Sequence, residues 1–241
     1  MKLALDHVIL RVAEPAAALA ELSRLAGAPV LAEVEEVGGM ASGIVRAGSI
    51  DIEVLRIGAE APARPRGYGI GFTADGALQE ATAALRELGF PTSVGVTAKV
   101  GGRSWKAVQV HGLLPDPLPV PVSTKPPGAA DKLAATGAGL LGRIPAVARA
   151  ATRKPGSSMV VVTEYDFDAA AWRAKAGAGP RALEVHVGAA EHLGDWQRLP
   201  LDEDAPLRLH ADGPAGVQKV VLEGKREAFA LGDVSFEFRQ A

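Results

Sequence analysis

Three times along this chain a strand-like run passes through a short turn into a helix-like run. DHVILRVAEPAAALAEL starts at Asp6, GIGFTADGALQEATAAL at Gly69 and ALEVHVGAAEHL at Ala182. Two closing segments also match. GSIDIEVLR (48–56) and GDVSFEFR (232–239) share a leading glycine and place Glu53 and Glu237 in one register. An ordered repeat of this kind restricts the chain to architectures in which one supersecondary unit is used more than once.

The elements follow from periodicity. Residues 3–12 read as a strand, with Leu3, Leu5, His7 and Ile9 on one face and Asp6, Val8, Leu10 and Val12 on the other. Pro15 suits the first turn of a helix over 15–26, with Leu19, Leu22, Leu25 and Ala26 as its apolar stripe and Gly27 as its stop. Strands are expected near 42–47 and 50–57, joined at Ala47-Gly48. The pattern restarts with a strand over 67–75, a helix over 76–88 and strands over 103–112 and 117–124. Prolines 117, 119 and 121 make the last an edge or irregular segment. Residues 123–157 form an Ala-, Gly- and Pro-rich insertion or linker with helical stretches near 129–141 and 145–153 and basic residues Arg143, Arg149, Arg153 and Lys154. Strands 158–167, 206–212, 216–224 and 228–240, with a strand and short helix over 181–199, make a reduced third unit. The resulting division is 1–122, 123–157 and 158–241.

Composition removes several function classes. Of the 241 residues 48% are hydrophobic, so the chain can bury a sizeable core. A net charge of −2 gives no basic excess for nucleic acid or an anionic membrane surface. There is no cysteine, which removes disulfides and thiolate chemistry. With no leader-like or membrane-spanning apolar run, a cytoplasmic protein is expected. Nucleotide-loop, G-x-S-x-G and H-E-x-x-H patterns do not occur.

Polar side chains in apolar strands are the candidate functional groups, because each needs a partner once buried. His7 and Glu53 are the foremost pair. Glu184 and His186 lie two apart on one strand face, as an acid–base pair or a solvated surface. His192 and His210 read as surface residues. Trp105, beside Arg103 and Lys106, could line a pocket.

The motifs L-D-H-V-I-L (5–10), I-E-V-L (52–55) and G-I-G-F-T-A-D (69–75) resemble the vicinal oxygen chelate superfamily, which includes glyoxalases and bleomycin-resistance proteins. The resemblance implies an α+β fold of tandem βαβββ modules, whose curved mixed sheets surround a cleft with the helices on the convex face. In metal-using members the first strand supplies a histidine and the fourth a glutamate. His7 and Glu53 match these positions as metal ligands and catalytic groups. In the second module Gly69, or Tyr68, stands where a histidine is expected, and Glu164 is the candidate glutamate by strand character. A divalent Fe, Zn, Mn or Ni would need a third ligand from His111, Glu164 or Tyr68. Tyr68, Trp105 and His111 are the candidate substrate-binding residues. Three readings remain open: a metal-assisted lyase, isomerase or dioxygenase acting on a small oxygen-bearing molecule, a metal-free binder of such a molecule, and a non-catalytic scaffold. A homodimer is compatible with all three. The resemblance also implies that His7 and Glu53 enter the same cleft.

Overall fold

A computed structural model of the chain describes residues 1–37, 39–58, 61–100, 102–115, 122–123 and 158–240. The expected helices of the 124–157 insertion, its basic residues and most of the strand expected over 117–124 lie outside the described residues.

The first module is β1 (Leu3–Arg11), α1 (Pro15–Ala26), β2 (Val30–Val37), β3 (Met40–Ala47) and β4 (Ile50–Arg56). The start and stop signals of α1 act as expected. Pro15 occupies its first turn, and Gly27 closes it in the left-handed region at φ 64°, donating its backbone N–H to the Ser23 carbonyl. Strand β4 pairs in parallel with β1 and antiparallel with β3, which pairs with β2. The second module repeats this plan with β5 (Arg66–Ala74), α2 (Leu78–Glu87), β6 (Thr92–Ser93), β7 (Val96–Val100) and β8 (Arg103–Val110). Its closing strand is β10 (Met159–Tyr165), which lies between β5 and β8, parallel to the former as β4 is to β1. The run 158–167 therefore completes the second module instead of opening the third unit. A short strand, β9 (Val122–Ser123), pairs with β6. The two modules meet through antiparallel β1 and β5, giving one continuous mixed sheet in the order β2-β3-β4-β1-β5-β10-β8-β6-β9, with β7 added on β8. This is the expected α+β architecture of curved mixed sheets.

The alternation expected in β1 is broken by a bulge. The register with β5 slips between Leu5 and His7, leaving Asp6 as the extra residue. Leu3 and Leu5 therefore share the core with Val8, Leu10 and Val12, while His7 and Ile9 lie on the other face. Regular period-2 spacing placed His7 with Leu3 and Leu5, and one inserted residue reverses that.

The C-terminal part forms a second sheet from β11 (Ala182–Gly188), β12 (Leu207–His210), β13 (Gly216–Glu223), β14 (Phe229–Leu231) and β15 (Val234–Arg239), ordered β12-β11-β13-β15-β14. Helix α4 (Leu193–Trp196) follows β11. Strand β15 is parallel to its neighbour, as β4 is, but that neighbour is β13 and no helix intervenes. Glu237 stands opposite Val221 where Glu53 stands opposite Ile9, and it pairs with Lys219 at 3.3 Å. So 181–240 supplies two abbreviated strand pairs around an antiparallel centre, β11 and β13, and not one reduced module.

Both sheets contribute to a single core. Leu19, Leu22 and Leu85 of the helices pack with Ile52, Phe72 and Val162 of the large sheet and with Val220, Leu222 and Phe236 of the small one. The convex face thus carries the small sheet as well as α1 and α2. Trp196, fully buried, packs on Phe72 and donates its indole N–H to the Leu113 carbonyl at 2.7 Å. At Gly67 the two sheets approach so closely that a Cβ would stand 2.0 Å from the Val217 carbonyl oxygen, so only glycine fits there.

Candidate functional site

On the concave face, β1 presents His7, Ile9 and Arg11, and β4 presents Asp51, Glu53 and Leu55. Their register partners bring His7 opposite Asp51 and Ile9 opposite Glu53. His7 Nε2 lies 3.9 Å from Glu53 Oε2, so the two groups are neighbours. His7 Nδ1 is 2.7 Å from Asp6 Oδ2, and the Ser42 hydroxyl donates to Glu53 Oε1 at 2.5 Å. The bulge makes the first of these contacts: it turns Asp6 to the side of His7 although the two are adjacent in sequence. The imidazole fits because residue 71, opposite His7, is glycine; a Cβ there would stand 2.0 Å from His7 Cε1.

Around this pair lies a buried charge network. Helix α3 (Ala169–Ala174), capped by the Asp168 carboxylate accepting from Ala171 N–H, brings Arg173 to the sheet. Arg173 donates to Asp6 Oδ1 at 2.5 Å and to Asp51 Oδ2 at 2.8 Å, and Arg46 donates to Asp51 Oδ1 at 2.8 Å. The Tyr165 hydroxyl donates to Asp6 Oδ2 at 2.6 Å. Three carboxylates (Asp6, Asp51, Glu53) face two guanidiniums and one imidazole, so the cluster is neutral when His7 carries its proton. Next to it the face becomes apolar, with Ile9, Leu55, Tyr68 and Val161 packed together.

The titrations follow from these contacts. Burial alone would lower the pKa of His7, but the hydrogen bond and charge of Asp6, with the charges of Glu53 and Asp51, raise it above the ordinary 6.5. Burial would raise Asp6, yet His7, Arg173 and Tyr165 together hold it well below the usual carboxylate range. Burial and the Asp6 charge push the Tyr165 hydroxyl up, so it stays a donor. Linkage sets the sign of each effect. The depressed Asp6 contributes stability that is present above its ordinary 3.8 and lost as pH falls through the lower folded value. The raised His7 contributes stability that is full below 6.5 and lost as pH rises through the higher folded value. Stability is therefore expected to peak between about pH 5 and 6.5 and to decline above neutrality. Urea midpoints at pH 6 and pH 9 check this: the His7→Gln protein should lose the alkaline decline, and an unchanged decline would remove His7 as its source.

The remaining sequence candidates disperse. Glu164 faces the convex side, where its carboxylate accepts the Leu78 N–H at the start of α2 at 3.0 Å, and it does not join His7 and Glu53. His111 is buried just beyond β8, its backbone N–H bonded to the Pro91 carbonyl, and β1, β5 and β10 lie between β8 and β4. Tyr68 is buried in the apolar part of the concave face, with the guanidinium carbons of Arg11 and Arg66 5.8 and 5.7 Å from its ring centre. Trp105 stands opposite Tyr165 in the β8–β10 register. On the small sheet, His186 contacts Glu184 at 3.1 Å and His210 at 2.7 Å, apart from the His7 cluster. Sequence reasoning passed over Asp6, Asp51, Arg46, Arg173, Tyr165 and Ser42. The two aspartates carried a signal, being charged residues inside aliphatic strands; Arg173, distant in sequence, carried none.

The implied metal meets a poor donor set. His7 and Glu53 offer two donors, while Asp6 is committed to the opposite imidazole nitrogen and Asp51 to two guanidiniums. Among the described residues no group of three His, Cys, Asp or Glu side chains is placed to hold a metal ion. Two donors flanked by cationic arginines do not fit a divalent cation.

The paired modules and curved mixed sheet are consistent with the vicinal oxygen chelate fold. No family model matches the chain, and no curated protein matches it. Among solved structures, a hypothetical protein from Staphylococcus aureus aligns over 100% of both chains with a TM-score of 0.61 and 9% identity, a likeness of fold. Methylmalonyl-CoA epimerase from Mycobacterium tuberculosis aligns over 70% of this chain and 91% of its own, with a TM-score of 0.41 and 12% identity. Among the described residues no helix is long and apolar enough to cross a membrane.

Proposed function

We propose that the concave face of the large sheet binds a small oxygen-bearing organic molecule without a metal, and that His7 and Glu53 act on its polar end as a general acid and base. The supporting observation is the arrangement of the two side chains. Asp6 holds His7 Nδ1 and favours its charged form, so the other nitrogen is left as a donor on the concave face, 3.9 Å from the Glu53 carboxylate. A ligand oxygen seated between them would accept from the imidazolium, and Glu53, steadied by Ser42, would accept a proton from an adjacent position. The apolar neighbours Ile9 and Leu55 would take the hydrocarbon part. An isomerisation by proton transfer is the reaction class this pair serves.

Ligand-observed NMR with mixtures of small hydroxy acids, keto acids and diols tests the reading. Compounds that bind the native protein should lose at least tenfold in affinity in both His7→Ala and Glu53→Gln, with the fold retained by circular dichroism. Binding that is indifferent to both substitutions would place the ligand elsewhere.

A further inference from the structure

At the far end of the same face, two arginines stand directly opposite each other. Arg11 of β1 and Arg66 of β5 are register partners on the two central strands. Their guanidinium carbons lie 5.8 and 5.7 Å from the centre of the Tyr68 ring, so both heads gather over one buried residue. Like charges directly opposite across a strand pair are destabilising. Arg11 donates to the Ile57 carbonyl at 3.2 Å, and the opposing charge nearest in effect to Arg66 is that of Asp233, which also pairs with Arg64. Burial first, and then the charge of Arg11, press the Arg66 pKa down against the opposing pulls of Tyr68 and Asp233.

This crowding is aligned with the acid–base pair. His7, Ile9 and Arg11 alternate along one face of β1, and His7 and Arg11 are separated by four residues, about 13 Å of extended strand. Between them lies Ile9, with Leu55 beside Arg11 on β4 and Val161 level with His7 on β10, in one apolar cluster. The face therefore runs from a hydrogen-bonding end through an apolar middle to a cationic end.

We propose that Arg11 and Arg66 hold the oxyanion of an amphipathic ligand whose hydrocarbon stem crosses Ile9 and whose second oxygen group reaches His7. The class is an organic carboxylate or phosphate ester carrying a hydroxyl or carbonyl near its other end. The proposal rests on the reading of the concave face as the ligand site. The anion relieves the repulsion between the two guanidiniums, and the planar forks suit an oxyanion.

Calorimetric titration with octanoate, octyl phosphate, ω-hydroxyoctanoate and octanol tests it at low ionic strength. Octanoate or octyl phosphate should bind, and whichever binds tighter identifies the oxyanion. Arg66→Gln should weaken that binding at least tenfold and leave octanol unchanged. The ligand-free Arg66→Gln protein should melt about 1–3 °C higher, because a repulsion has been removed; an arginine serving only the fold would give a lower melting point. His7→Ala should retain octanoate binding and lose only the added affinity of ω-hydroxyoctanoate. If neither anion binds the native protein, or if Arg66→Gln binds them equally well, the anion site is overturned. If Arg66→Gln weakens octanoate while His7→Ala leaves ω-hydroxyoctanoate untouched, the anion site stands and the role given to His7 falls.

Discussion

Arg173→Met is expected to destabilise the protein by about 3–5 kcal/mol, the range for removing one member of a buried ion pair. Arg173 is the link between two carboxylates that have almost no access to water: the Asp6 side chain is 2% exposed and that of Asp51 is 3% exposed. Methionine fills a similar volume but leaves Asp6 with His7 and Tyr165, and Asp51 with Arg46, as partners among the described residues. For a chain of this size the loss corresponds to a melting point lower by roughly 6–20 °C. Adding Asp6→Asn to the variant should recover part of the loss, since the uncompensated charge is then gone. A cost below about 1 kcal/mol would show that α3 contributes little to the closed network.

Gly71→Ala is the second large effect. The backbone of this strand residue tolerates alanine, so the consequence is steric. The new Cβ would stand 2.0 Å from His7 Cε1 and 2.5 Å from both ring nitrogens, so the imidazole must swing away. That movement breaks the contact with Asp6 and separates Nε2 from Glu53. A cost of about 1–3 kcal/mol is expected from the forced repacking. Ligand binding should fall as far as in His7→Ala, although His7 itself is unchanged. Histidine NMR would report the displaced ring as a His7 pKa returned towards its ordinary value. Unaltered titration in Gly71→Ala would mean that the ring does not rest on residue 71.

The sequence showed the modules more clearly than the site. Repeated strand–turn–helix runs depend on local periodicity, and the helices at Pro15–Ala26 and Leu78–Glu87 follow from it. Glu53 was legible because β4 is regular and places Asp51, Glu53 and Leu55 together. The face of His7 was not, because a bulge at Asp6 leaves no mark in the alternation itself; the apparent partners Leu3 and Leu5 turn into the core. The fate of Glu164 needed the tertiary structure too, since β10 joins the second module across a long separation and turns that carboxylate to the start of α2. The short strands β6 and β7 carry too few residues to show a period, and they went unread. Charge pairs such as Arg173 with Asp6 belong to folding at long range and have no sequence signature.

The placement of β10 also sets an order in time. The first module joins neighbouring segments and can assemble as soon as residues 1–56 are available. The second cannot, because β5 and β8 are held apart until a strand from Met159–Tyr165 arrives between them. Closing so long a connection costs entropy before any contact rewards it, and non-local strand pairing of this kind slows folding. Until then β5 and β8 present open hydrogen-bonding edges, and Ile70, Phe72, Val108 and Val110 lack their cover from Val160 and Val162. A nascent chain that stops before residue 165 is thus a half-built sheet with two adhesive borders, and the insertion of one seven-residue strand separates that state from the finished protein.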